Sequence, residues 1–174
     1  GTGRELARVH FGGGSPNHLS ELAIATIFSS VSRHFLVGND TQIAMELNPR
    51  RASRAQLNFL KGLGIGHVKL EVRDVDATVQ REIGRVQSLE LLEDVISIAH
   101  GVNFDSISMD YLIGLPGQTV ESSEQSIQAM ISLDPDSLVC LPFHRRESAF
   151  PHQIAVDTQQ LPSLADRLAM FNTV

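Results

Sequence analysis

One cysteine, one tyrosine and no tryptophan occur among the 174 residues. The single thiol, Cys140, excludes an internal disulfide and any multi-cysteine metal site built from these residues alone. Lysine is nearly as scarce, with only Lys61 and Lys69 against 12 arginines. The first reads as helical and the second as lying inside a strand, which argues against a lyase or isomerase with a catalytic lysine at a strand end. No glycine cluster is followed by a Walker lysine, so nucleotide hydrolysis of that type is excluded. Positive charge is in deficit, 14 Lys+Arg against 20 Asp+Glu for a formal −6. That opposes a general nucleic-acid or anionic-membrane surface and leaves a local basic pocket open. No apolar run approaches the roughly 20 residues of a membrane helix, and a signal peptide is not expected. A cytoplasmic location is the expectation.

What is present is an apolar content of 42%, enough for a sizeable core. The chain begins Gly1-Thr2-Gly3, and Leu164, Leu168 and Phe171 keep a helical period up to Val174. Both ends read as those of a piece of a longer protein.

Apolar runs alternate with amphipathic stretches along the chain. Leu6 to Phe11 predicts a strand entering three glycines. Ser20 caps a helix bearing Ile24, Ile27, Phe28, Val31 and Phe35. Gln42 to Leu47 is a second strand, followed by a helix from about Ser53 with Leu57, Leu60 and Leu63 inward. Val68 to Val72 is a third strand, and Ala77 to Ile83 and Ser88 to Ala99 are helical. Ile107 to Ile113 is a fourth strand, Thr119 caps a helix with Ile127, Met130 and Ile131, and Leu138 to Phe143 is a fifth strand. Repeated β–α units with short loops predict a parallel sheet, curved or doubly wound. Ligands of such folds collect beyond the carboxyl ends of the strands, where Gly12 to Ser15, Glu46, Arg73, Asp110 and His144 fall.

Each motif has a plain reading beside a functional one. Gly62, Gly64 and Gly66 follow a helix and precede a strand, the reverse of a dinucleotide fingerprint, and read as a helix stop. Gly12-Gly13-Gly14 follows a strand and precedes a helix, so its amides suit a carboxylate, an amine-bearing ligand or a phosphate, or merely turn the chain. Glu46 interrupts an apolar strand and faces away from Met45 and Leu47; a carboxylate there is costly unless paired or ligand-bound. Asp110 interrupts its strand in the same way. Arg85 reads equally as a solvated helix end, His10 as a hydrogen-bonded core residue, and His144 as an anion contact or a surface group.

Taken in order, FGGGSP (11–16), MELNP (45–49), EIGRVQS (82–88) and MDYLIGLPGQT (109–119) resemble the oxygen-independent coproporphyrinogen III oxidase branch of the radical S-adenosylmethionine (SAM) enzymes. The resemblance runs over about residues 8–144. It implies an α/β fold, a partial (β/α) barrel with about five parallel strands over residues 1–146, and a C-terminal extension at 147–174 that starts a helix. It also implies SAM as cosubstrate. Gly13, Gly14 and Ser15 match the loop at its methionyl group, Glu46, Arg85 and Asp110 match pocket-lining residues, and Phe143 or His144 lies near a further contact. The implied substrate is a tetrapyrrole, attacked by a radical derived from SAM.

Two departures stand out. The family's C-x3-C-x2-C loop for the [4Fe–4S] cluster would precede Gly1, so the cluster is expected in the parent protein only and this chain alone is expected to be inactive. The family's glycine-valine-glutamine strand reads Glu71-Val72-Arg73 here. Arg73 is therefore a candidate for holding a substrate carboxylate, with a rim ion pair to Asp74 or Glu71 as its plain reading. Two alternatives remain: a non-catalytic SAM- or haem-binding relative, and a haem-utilisation radical SAM enzyme. With its preceding strand missing, the edge at Leu6 to Phe11 is expected to favour self-association.

Overall fold

The computed structural model describes residues 3–145, 148, 153 and 156–173. The expected domain boundary at 146/147 lies outside the described residues.

Among the described residues the strands and α-helices follow in the order β1 (Arg4–Glu5), β2 (Arg8–Phe11), α1 (Glu21–His34), β3 (Phe35–Leu36), β4 (Gln42–Leu47), α2 (Arg54–Gly62), β5 (His67–Arg73), α3 (Ala77–Glu82), α4 (Leu89–Val102), β6 (Ser106–Ile113), α5 (Val120–Ser132), β7 (Ser137–Pro142) and α6 (Leu164–Asn172). Five strands form one sheet in chain order, β2-β4-β5-β6-β7, and β1 pairs with β3 in a separate two-stranded sheet. The five-stranded sheet is parallel; where the register is defined, Phe11 lies opposite Met45 and Glu46 opposite Lys69. The expected strand order is the one observed.

Side-chain alternation decides which face of each strand is apolar. On β4, Ile43, Met45 and Leu47 are buried while Gln42, Ala44 and Glu46 take the other face. On β5, Val68, Leu70 and Val72 are buried and His67, Lys69, Glu71 and Arg73 line up opposite. On β6, Asp110 shares its face with Ser106, Ser108 and Leu112. A sheet buried on both faces reads as a near-continuous apolar run; these strands instead keep one apolar face and one carrying charge. Each fully buried Leu or Ile contributes about 1.5–3 kcal/mol, so the apolar face stabilises the sheet and the charged face is left for chemistry.

The helices start where side chains can cap them. Ser20 accepts the Ala23 amide, Ser53 that of Gln56, and Asp76 those of Thr78 and Val79. Thr119 and Ser122 form a reciprocal capping box at α5. The glycines after α2 are a helix stop: Gly64 has φ +91° and its amide bonds Lys61 O.

Some helical expectations need correction. Phe35 does not extend α1; it turns extended and pairs with Arg4. Only Ile24 of the α1 stripe is fully buried, and Leu22 and Ile27 are exposed. On α5, Ile131 faces outward beside the buried Ile127 and Met130. On α6, Met170 is the buried residue, whereas Leu164, Leu168 and Phe171 are exposed. In each case the period is helical, but the described elements cover a narrower arc of the helix than its apolar residues span.

The chain forms two compact units, Gly1–Glu71 with Glu93–Ser108, and Val72–Leu92 with Met109–Val174. Among the described residues no helix is long and apolar enough to cross a membrane.

Candidate functional site

In the first unit, β2 delivers the chain into Gly12-Gly13-Gly14, and each glycine answers to a separate constraint. A Cβ on Gly12 would come within 2.7 Å of His10 Nε2 and 2.9 Å of Glu46 Oε2. Gly13 and Gly14 have φ of +83° and +132°, backbone that side chains rarely adopt. The triplet therefore does two things: it brings the main chain close to Glu46 and it makes a bend that only glycine makes cheaply. A recess of about 370 Å³ opens beside this loop, walled in part by Phe11, Pro16, Leu19 and Ile27.

The loop is held by acidic groups from two strands. The Ser15 hydroxyl donates to Glu71 Oε2 at 2.6 Å, and the Gly13 amide reaches Glu46 Oε2 at 3.4 Å. Glu46 also meets His10 Nε2 at 3.3 Å and Lys69 Nζ at 2.5 Å. Partial burial pushes the Glu46 carboxyl up, but the hydrogen bond and charge of Lys69, with the Gly13 and His10 donors, outweigh it and hold the group below the usual carboxylate range. Asn17 fixes the far end of the loop: its side chain donates to Asn48 O and accepts the Asn48 amide, at 3.1 and 3.0 Å.

In the second unit, Asp110 is tied to the end of β5. Its Oδ1 accepts the amides of Val72 and Arg73 at 2.7 and 3.2 Å, and its Oδ2 meets Arg73 Nη1 at 2.8 Å. Arg73 has φ +77°, which costs a residue with a β-carbon about 1–2 kcal/mol. The bond from its own amide to Asp110 supports that conformation. Arg73 thus forms an ion pair with Asp110, a partner that the rim-pair reading did not name.

Asp74 is buried one residue further on. It accepts the Asp76 amide at 2.8 Å, Gln118 Nε2 at 2.6 Å and the Ser126 hydroxyl at 2.7 Å. Burial pushes its carboxyl up despite these donors. Arg85 follows Gly84 (φ +62°), and its amide bonds Gln80 O at 2.8 Å. The Gln80 side chain in turn bonds Asp74 O and the Gln87 amide, so the turn carrying Arg85 is pinned to the end of β5. Phe143 donates its amide to Ile113 O at 2.7 Å, its carbonyl accepts from Arg167, and His144 is exposed.

Gly13, Ser15 and Glu46 are thus brought together in the first unit, and Arg73 and Asp110 in the second; Gly14 continues the loop. Lys69 was missed, having been read as a residue inside a strand. The signal was the alternation Lys69, Glu71, Arg73, which puts all three on the charged face of β5.

The sequence pattern of the radical SAM superfamily matches residues 3–130. The chain belongs to the radical SAM superfamily. Over 174 residues it is 29% identical to the oxygen-independent coproporphyrinogen III oxidase of Helicobacter pylori, and over 168 residues 31% identical to that of Pseudomonas aeruginosa. Those alignments cover 99% and 95% of this chain but 38% and 36% of the relatives, so the chain spans less than two-fifths of their length. The solved structure of Escherichia coli coproporphyrinogen III oxidase, described as a radical SAM enzyme, superposes with a TM-score of 0.91 at 27% identity, over 97% of this chain and 39% of that one. A Methanocaldococcus infernus Elp3 structure shares the fold alone, with a TM-score of 0.75 at 13% identity.

Membership of the radical SAM superfamily brings in SAM and a [4Fe–4S] cluster, and the two fare differently against these residues. SAM fits: Gly13 and Gly14 have open space where a side chain would stand, and the neighbouring Glu46 carboxylate is held below the usual carboxylate range and only partly buried. The cluster does not fit. It needs several thiolates, the sequence holds one cysteine, and burial pushes the Cys140 thiol up. Among the described residues no group of three or more His, Cys, Asp or Glu is arranged to hold a metal ion.

Proposed function

We propose that this chain forms part of the SAM-binding barrel of a radical SAM enzyme of the coproporphyrinogen III oxidase type, acting on a tetrapyrrole in porphyrin metabolism. The observation that carries the reading is the charge around the glycine loop. Two carboxylates, Glu46 and Glu71, approach it within hydrogen-bonding distance. Such carboxylates attract a ligand that carries an ammonium and a sulfonium. That supports SAM over the phosphate-binding lyase or isomerase that a glycine loop alone would permit.

In this reading Gly13, Gly14, Ser15 and Glu46 bind the methionyl end. Arg85, Asp110, Phe143 and His144 are proposed to contact the same cosubstrate. Bound SAM would supply the radical chemistry; these residues would bind and orient it, while Lys69, Gly13 and His10 keep Glu46 ionised. The cluster's ligands are proposed to lie outside these 174 residues, so that the chain alone is inactive. Arg73 is proposed to hold a substrate carboxylate, for which it would have to leave Asp110. The free edge of β2 is proposed as a self-association surface.

Equilibrium dialysis of labelled SAM against the full-length protein tests the central reading. Wild-type protein is expected to retain SAM, and Glu46→Ala to lose about 10-fold or more in affinity, the scale of a hydrogen bond to a charged group. Equal retention by both proteins would remove Glu46, and with it the loop, from the site.

A further inference from the structure

We propose that Lys69 is a ligand-binding residue. Together with Glu46 it forms a cradle of paired charges for an α-amino-acid head group, Glu46 taking the ammonium and Lys69 the carboxylate. The inference rests on the reading that SAM binds at the glycine loop, and it names the group that recognises the ligand's carboxylate.

The geometry that points here lies wholly within the first unit. Glu46 on β4 and Lys69 on β5 are register partners, so their side chains rise from the same face of adjacent strands. Their charged ends meet at 2.5 Å, yet neither is sealed: the side chains are 16% and 25% exposed. Both lie against a loop whose three glycines are each demanded by space or backbone, and the Gly13 amide already points at the same carboxylate. An ion pair that only stabilised the strands would not need such a loop beside it. At partial exposure it would also contribute little.

Charge balance gives the chemical reason. A zwitterionic head group brings one positive and one negative charge. If its ammonium takes Glu46 and its carboxylate takes Lys69, the inner pair is exchanged for two outer pairs and no charge is stranded in a partly dry site. A lysine suits this exchange, because its ammonium is a point charge with three rotatable donors on a flexible stem. The other ionisable groups at the loop are His10 and Glu71. His10 meets Glu46 Oε1, the same oxygen that Lys69 holds, and Glu71 accepts from the Ser15 hydroxyl. Lys69 is therefore the cation of this cluster that can receive a carboxylate without relying on the protonation of a histidine.

The test compares two probes that differ by the carboxylate alone, SAM and decarboxylated SAM, titrated by calorimetry into the full-length protein. Wild type is expected to prefer SAM by about 10-fold. Lys69→Met is expected to weaken SAM by about 10-fold and to leave decarboxylated SAM unchanged or tighter, because Glu46 is no longer shared. Lys69→Arg should keep most of the preference. Equal weakening of both probes in Lys69→Met would make Lys69 a strut, and tightening of both would make it only an internal counter-ion; either overturns the inference. The wild-type preference needs no variant to fold, and its absence overturns the inference by itself. Failure of wild type to bind SAM at all would instead overturn the underlying reading, and the inference with it.

Discussion

Glu46 and Asp110 are both carboxylates interrupting apolar strands, yet their surroundings differ in kind. Asp110, with a side chain 2% exposed, is held by two backbone amides and a guanidinium from the end of β5. Glu46, 16% exposed, is held by a lysine, a histidine and one long amide contact. Backbone amides cannot leave without distorting the strand, whereas side-chain partners can swing away. The contrast separates a carboxylate that organises the backbone from one whose partners are exchangeable, and exchangeable partners are what a binding site requires.

Breaking that contrast by mutation gives the largest expected effect. Asp110→Ala should destabilise the protein by about 3 kcal/mol or more, since it leaves buried amides unsatisfied and removes the support for the positive φ of Arg73. Glu46→Ala should cost about 1 kcal/mol or less, because its pair is partly solvated. Urea unfolding of the two variants checks the ordering, and equal losses would erase the distinction. At the loop, Gly14→Val should cost about 1–3 kcal/mol in backbone strain while abolishing measurable SAM binding. Full binding with the same strain would mean that the loop's shape is not what the ligand reads.

The strand order, the helix caps at Ser20 and Thr119, and the turn of Glu46 away from Met45 and Leu47 were all legible in the sequence. Those features are local: a two-residue alternation or a capping hydroxyl three residues before its amide is written in consecutive positions. The partners of the charged residues were not legible. Arg73 sits beside Asp74 in sequence but pairs with Asp110, 37 residues on, because alternation turns Asp74 to the opposite face. Lys69 was passed over because its partner, Glu46, arrives from another strand. The two-stranded β1–β3 pairing was invisible for the same reason: two residues carry no period. The exposure of much of the α1 and α6 stripes was not legible either, since periodicity tells which residues share a face and not whether anything covers it.

Arg73 offers a smaller effect that separates backbone from side chain. Arg73→Gln loses the ion pair and keeps the positive φ, while Arg73→Gly loses the ion pair and relieves the backbone. The glycine variant should be the more stable of the two by about 1 kcal/mol, after the entropy that glycine costs in the unfolded chain. Porphyrin titration of Arg73→Gln in the full-length protein sharpens the functional side. A loss of about 1.5–3 kcal/mol is expected if the guanidinium holds a carboxylate, and unchanged affinity would leave Arg73 without a role in substrate binding.

The smallest effect is a difference in slope with pH, and it sets Glu46 against Asp74. Glu46 titrates lower in the folded protein than in the unfolded chain, so between the two values the unfolded state binds more protons. Its contribution to stability is present above the unfolded value and is lost as pH falls through the folded one. Asp74 is raised by burial, so in its window the folded state binds more protons. Its contribution is present below the unfolded value and is lost as pH rises through the folded one. Glu46→Gln should therefore flatten the fall in stability on acidification, and Asp74→Asn should remove a component of opposite sign, whatever it does to absolute stability. Denaturant midpoints measured between about pH 7 and pH 3 read both slopes. The Glu46 change should be slight, because solvent already screens a partly exposed pair. If Glu46→Gln steepened the acid limb instead, Lys69 and His10 would not be what keeps that carboxylate ionised, and the paired-charge cradle would lose its anion.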